Sequence, residues 1–87
     1  MKKTEGYRIR KLEDEYVVLP FGKRAEEVNE VISLSETAGF MYLHAEEADS
    51  VDELAELVSK AYEVEKSVVY EDVVSVVRTL REKGLLL

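Results

Sequence analysis

The sequence has no cysteine and no tryptophan, and only one histidine, one proline and four glycines in 87 residues. Without cysteine there can be no disulfide, no thiolate zinc site and no thiol nucleophile. The lone histidine, His44, sits beside Glu46 and Glu47 and reads as a solvated surface residue. A metal site would then rest almost wholly on carboxylates, whereas such sites normally cluster several ligands. The glycines are scattered and form neither a GxGxxG nor a GxxxxGK phosphate loop. No segment approaches the roughly 20 apolar residues of a membrane span. The basic start Met1-Lys2-Lys3-Thr4-Glu5-Gly6 lacks the apolar run of a secretory signal. These absences argue against an enzyme, a cofactor or metal protein and a membrane protein, and a soluble cytoplasmic location is expected.

What is present is a chain with 46% apolar residues, 12 basic and 19 acidic residues, and a net charge of −7. Its length fits one domain with one modest core. The charge is uneven. Residues 1–24 sum to +3, whereas residues 25–65 hold one basic and twelve acidic residues and sum to −11. That acidic middle would repel a phosphate backbone, so nucleic-acid binding starts at a disadvantage.

Along the chain, Tyr7-Arg8-Ile9-Arg10 alternates with the period of a half-buried strand, which predicts a strand over 7–12. Glu15-Tyr16-Val17-Val18-Leu19 predicts a second, and their closeness suggests a hairpin. Pro20 has no ladder donor and should end that strand. Pro20-Phe21-Gly22-Lys23-Arg24 reads as a loop leading into Ala25-Glu26-Glu27. A third strand is expected over 30–34, with Ile32 and Leu34 on one face. Ser35 is a good N-cap for a helix over 36–45 that should bury Phe40 and Leu43. Gly39 inside it costs about 1 kcal/mol relative to Ala, which close helix–strand packing would explain.

Ser50 with Glu53 three residues later is a capping-box pattern opening a helix over 50–62. Val51, Leu54, Ala55, Leu57, Val58, Ala61 and Tyr62 share its apolar face, and Asp52, Glu53, Glu56 and Lys60 lie opposite. A last helix is expected over 67–83, with Gly84 as its terminating residue. Leu85-Leu86-Leu87 should fold back onto the body. The order is β-β-β-α-α-α, an α+β arrangement.

The last helix carries more apolar surface than a surface helix needs. At 100° per residue, Val69, Val73, Val76 and Leu80 form one compact stripe. Val77, Tyr70, Arg81 and Val74 form a second shoulder, and the whole arc spans about 160° against the roughly 100° usual for a surface helix. Either the strands and the C-terminal leucines cover that shoulder, or it lines a groove for a partner. If an edge strand formed the other wall, an extended peptide could join the sheet by main-chain hydrogen bonds.

Glu5-Gly6-Tyr7, Tyr16-Val17-Val18-Leu19-Pro20, Val31-Ile32-Ser33-Leu34-Ser35-Glu36-Thr37-Ala38-Gly39-Phe40 and Asp72-Val73…Leu80-Arg81-Glu82-Lys83-Gly84-Leu85-Leu86 together resemble the PqqD family. Members are RiPP recognition elements: peptide chaperones in the biosynthesis of ribosomally made, post-translationally modified peptides and of the cofactor pyrroloquinoline quinone. The resemblance implies a winged-helix-like fold with a three-stranded antiparallel sheet and three helices. It also implies that the leader of a precursor peptide is bound as an added strand and presented to a modifying enzyme, often a radical SAM protein. Carried onto this chain, the strand wall of the peptide site is Val31, Ile32, Ser33 and Leu34. The helix wall is drawn from Tyr70, Val73, Val74, Val77 and Arg81. No cofactor or metal of its own is implied.

The chain departs from the family's usual pattern at several places. Ser35 stands where Asn is frequent, Tyr42 where Trp is frequent, and Val74 where a charged residue is frequent. Val28-Asn29-Glu30 stands in place of Phe-Asn-Gly. Two readings compete with the adaptor. One is a homodimerisation module using the same edge strand and helix shoulder. The other is winged-helix DNA binding, which the acidic second helix disfavours.

Overall fold

The computed structural model describes residues 1–87 and orders the elements as β1 (Tyr7–Leu12), β2 (Glu15–Pro20), α1 (Lys23–Glu27), β3 (Ile32–Ser35), α2 (Glu36–His44), a 3-10 turn (Ala45–Glu47), α3 (Val51–Tyr62) and α4 (Lys66–Glu82). The strands form one antiparallel sheet in the order β1-β2-β3, so the α+β expectation of a three-stranded antiparallel sheet followed by helices holds. The order β-β-β is interrupted, however, by α1. This is a five-residue helix with no buried residue and no side-chain cap, so it carries none of the apolar period by which a helix is recognised.

The hairpin closes through Glu13, which takes the left-handed φ of 53°. The register then fixes two faces. Tyr7, Ile9 and Lys11 lie opposite Pro20, Val18 and Tyr16. Val18 and Tyr16 in turn lie opposite Ile32 and Leu34. Of these, Val18, Ile32 and Leu34 are buried, and Tyr7, Ile9 and Tyr16 pack against the core. This is the inner face. The third strand starts two residues later than expected and ends at Ser35. In this register Pro20 stands across from Glu30, and with no N–H it cannot extend the ladder that far.

The helices close over the inner face. Ser35 Oγ accepts from Ala38 N at 3.1 Å, as its N-cap position predicts. The buried face of α2 is Ala38, Gly39, Met41 and Tyr42 and not the expected Phe40 and Leu43. Phe40 is half-buried and Leu43 is 37% exposed. The reason lies at Gly39. A Cβ there would stand 2.1 Å from the Tyr16 ring, so the helix approaches the sheet along its glycine side and Leu43 turns outward.

Ser50 Oγ accepts from Glu53 N at 3.1 Å, and the Glu53 carboxylate reaches back to Asp49 N at 2.9 Å. The capping box at α3 is therefore made in both directions. Ala61 and Tyr62, expected on its apolar face, are exposed, because α3 ends at Tyr62 and the chain turns away through Glu63 at φ 53° and ψ 46°. At the end of α4, Gly84 takes φ 78°. Gly84 N donates to Arg81 O and Leu85 N to Leu80 O, the paired bonds of a Schellman motif. Leu85 and Leu86 are thereby driven into the core, while Leu87 stays 67% exposed.

Candidate functional site

β3 pairs with β2 alone, so its other edge carries main-chain N–H and C=O groups with no strand partner. Alternation sends Ile32 (4% exposed) and Leu34 (8% exposed) into the core and leaves Ser33 and Ser35 outside. Val31 precedes the ladder and is 54% exposed. Of the four expected strand-wall residues, then, Val31 and Ser33 are accessible by side chain. Ile32 and Leu34 hold the strand down.

The helix wall needs a similar correction. Val73 and Val77, expected to line a groove, are core residues at 0% and 2% exposure, as is Leu80 at 0%. Helix α4 packs against both α2 and α3, and this double contact is what its wide apolar arc serves. Tyr70 and Val74 remain half-buried on the shoulder, and Arg81 is exposed. Arg81 Nε donates to Leu87 O at 3.2 Å, so the C-terminal residue already holds this side chain. The structure brings Ile32, Leu34, Val73 and Val77 into one buried cluster, which sets β3 and α4 over a common core.

A depression of 620 Å³ lies elsewhere, lined among others by Lys3, Tyr7, Phe21, Lys23, Arg24 and Tyr42. Its cations stack on its rings: Lys3 Nζ is 4.9 Å from the Tyr42 ring centre and the Arg24 guanidinium 5.6 Å from that of Tyr7. Glu5 and Glu27 share its rim, and the mixed charge selects no ligand class. Burial, with smaller contributions from Tyr7 and Glu46, pushes the Tyr42 hydroxyl above its usual range. At the foot of α4, Lys66 Nζ lies 2.6 Å from Asp52 and 3.3 Å from Glu56 on α3. The hydrogen bond to Asp52 is the main reason that its ammonium titrates above the usual lysine range. No three His, Cys, Asp or Glu side chains are grouped to hold a metal. No helix is long and apolar enough to cross a membrane.

The family model for Coenzyme PQQ synthesis protein D (PqqD) matches residues 15–86, from β2 to the C-terminal leucines. The chain belongs to the PqqD family. Among solved structures, this PqqD-family fold is similar to TbiB1 in complex with the TbiA(beta) leader peptide. The TM-score is 0.72 at 22% identity, covering 99% of this chain and 94% of the other. It is likewise similar to a lasso peptide synthetase B1 complexed with the leader peptide, at TM-score 0.70 and 21% identity over 99% and 95% of the two chains. At these identities the likeness establishes a shared fold. No curated protein sequence matches.

Proposed function

We propose that this PqqD-family chain is a non-catalytic peptide chaperone, a RiPP recognition element. It takes up the leader of a ribosomally made precursor peptide as a fourth strand along β3 and presents it to a modifying enzyme. The observation that carries this reading is the unpaired edge of β3, set over the same core as the half-buried shoulder of α4. Main-chain hydrogen bonds along that edge supply affinity without demanding a leader sequence, and pockets for alternate side chains supply selectivity. The PqqD family match and the two leader-bound structures of like fold support the same reading.

In this arrangement the main chain of residues 32–35 bonds the leader on the strand side, and Tyr70 and Val74 meet its inward-pointing side chains on the helix side. Ile32, Leu34, Val73 and Val77 lie beneath, in the buried core. Arg81 pairs with an acidic leader residue only by exchanging its bond to Leu87 O, which at an exposed site leaves at most about 1 kcal/mol. Val74, where a charged residue is frequent in the family, gives this chain a more apolar leader preference.

The test is a titration of isotope-labelled protein, followed by NMR, with the leader segment of a candidate precursor peptide. Saturable shifts confined to 31–35 and to the Tyr70–Arg81 side of α4 are expected. Val74→Asp should weaken binding at least tenfold while leaving the unfolding midpoint within a few degrees. Unchanged affinity in that variant, or shifts on another face, would refute the site. Sedimentation of the same samples separates a leader adaptor from a homodimer that no peptide dissociates.

A further inference from the structure

The sheet has a second face that no helix covers. In the strand register, Arg8 lies opposite Leu19, and Arg10 opposite Val17, which in turn faces Ser33. Phe21 follows the end of β2, and the Arg8 guanidinium sits 4.5 Å from its ring centre. None of these six residues belongs to the core cluster or packs against it. The solvated face of an antiparallel sheet is ordinarily polar, yet this one carries Val17 and Leu19 half-buried and Phe21 41% exposed. Arg8 and Arg10 are exposed, and neither takes part in the protein's ion pairs, which are His44–Glu47 and Lys66 with Asp52 and Glu56.

We infer that this outer face is a docking surface for a protein partner on which carboxylates surround an aliphatic or aromatic anchor. That partner is the modifying enzyme, an identification that rests on the leader-binding reading. Charge and composition fix the partner's chemistry. Arginine and aromatic residues set among aliphatic ones are the composition of interface centres. The middle of the chain is acidic, with −11 over residues 25–65, so a carboxylate-bearing surface is attracted to Arg8 and Arg10 and repelled from that segment.

Side chains of a strand alternate between faces. A leader added beside β3 would therefore place every second side chain on the outer face, in line with Arg10, Val17 and Ser33. An enzyme seated there touches adaptor and leader at once, and so distinguishes the loaded adaptor from the empty one.

The experiment measures two affinities of the 87-residue chain: for a precursor's leader peptide, and for a purified enzyme that modifies that precursor, with and without leader. The probe variant is the double substitution R8E/R10E, on exposed side chains whose reversal should leave the circular dichroism spectrum unchanged. Its leader affinity should stay within twofold, whereas its enzyme affinity should fall at least tenfold. For the unaltered protein, enzyme affinity should fall with added salt and rise when leader is bound. Unchanged enzyme affinity in R8E/R10E, no enzyme binding by the unaltered protein, or displacement of the enzyme by a second copy or by duplex DNA overturns the proposal. Failure of the leader to bind the unaltered protein refutes the leader-binding reading instead, and is read in a separate arm.

Discussion

Gly39 makes the sharpest prediction about how this fold is held together. In an exposed helix, Gly→Ala would stabilise by about 1 kcal/mol through propensity alone. Here the added methyl would stand 2.1 Å from Cδ2, 2.6 Å from Cγ and 2.7 Å from Cε2 of Tyr16. The obstacle is the body of a ring and not the end of a flexible chain. Tyr16 lies opposite Leu34 of β3, so the ring cannot retreat without disturbing the edge strand. Overpacking costs about 1–3 kcal/mol, and an approach this close belongs at the upper end. Subtracting the propensity gain leaves Gly39→Ala destabilised by about 2 kcal/mol, a fall in Tm of roughly 8–16 °C for a domain of this size. Urea and thermal unfolding followed by circular dichroism measure it. A double-mutant cycle supplies the control: in a Tyr16→Ala background the ring is gone, and the same glycine substitution should stabilise by up to about 1 kcal/mol. The reasoning fails if Gly39→Ala is as stable as the parent while Tyr16 is present, or if the two substitutions are additive.

Three further outcomes are expected. Val77→Asp places a carboxylate at a core site that is 2% exposed and should cost more than about 3 kcal/mol or abolish folding, seen as loss of the cooperative transition, in contrast to Val74→Asp on the shoulder. Glu63 ends α3 in the left-handed region at φ 53° and ψ 46°; Glu63→Gly should stabilise by about 1 kcal/mol, measured by the urea midpoint. Burial is the main cause that raises the Tyr42 hydroxyl above the ordinary tyrosine value of about 10. The folded state therefore holds that proton more tightly than the unfolded chain, and the contribution is complete below pH 10 and lost as pH climbs through the folded value. Stability measured from pH 9 upward should fall less steeply in Tyr42→Phe than in the parent.

Much of the fold was legible because local chemistry dictates it. Ser35 and Ser50 announce helix starts by side-chain capping. Gly84 announces a stop by its backbone freedom, and the alternation around Ile9 and Val18 announces a hairpin. Helix α1 was not legible, because five residues with no buried side chain carry no period. The late start of β3 follows from pairing: Pro20 stands opposite Glu30, and that relation exists only once the register is known. Of the expected site residues, Val31, Ser33, Tyr70, Val74 and Arg81 are at least partly accessible, whereas Ile32, Leu34, Val73 and Val77 are buried, a depth that periodicity alone does not carry. The angular width of α4 showed that it meets more than one neighbour. It could not show that those neighbours are α2 and α3, which absorb Val73 and Val77 and leave Tyr70 and Val74 at the rim. The outer face escaped notice because Arg8, Val17, Leu19 and Phe21 are separated in sequence and meet only across strands.

The two borders of the sheet are guarded differently, and this has a consequence for handling and evolution. The β1 border carries Arg8, Arg10 and Lys11, and like charges facing one another discourage stray pairing there. The β3 border, Ile32-Ser33-Leu34-Ser35, carries no charge at all. Its protection is brevity: four residues give a foreign strand too little ladder to hold on to by itself. A substitution that lengthened β3, such as replacing Pro20 with a residue that has an N–H, would remove that safeguard. It should make the free protein aggregate through the very border at which the leader is proposed to add.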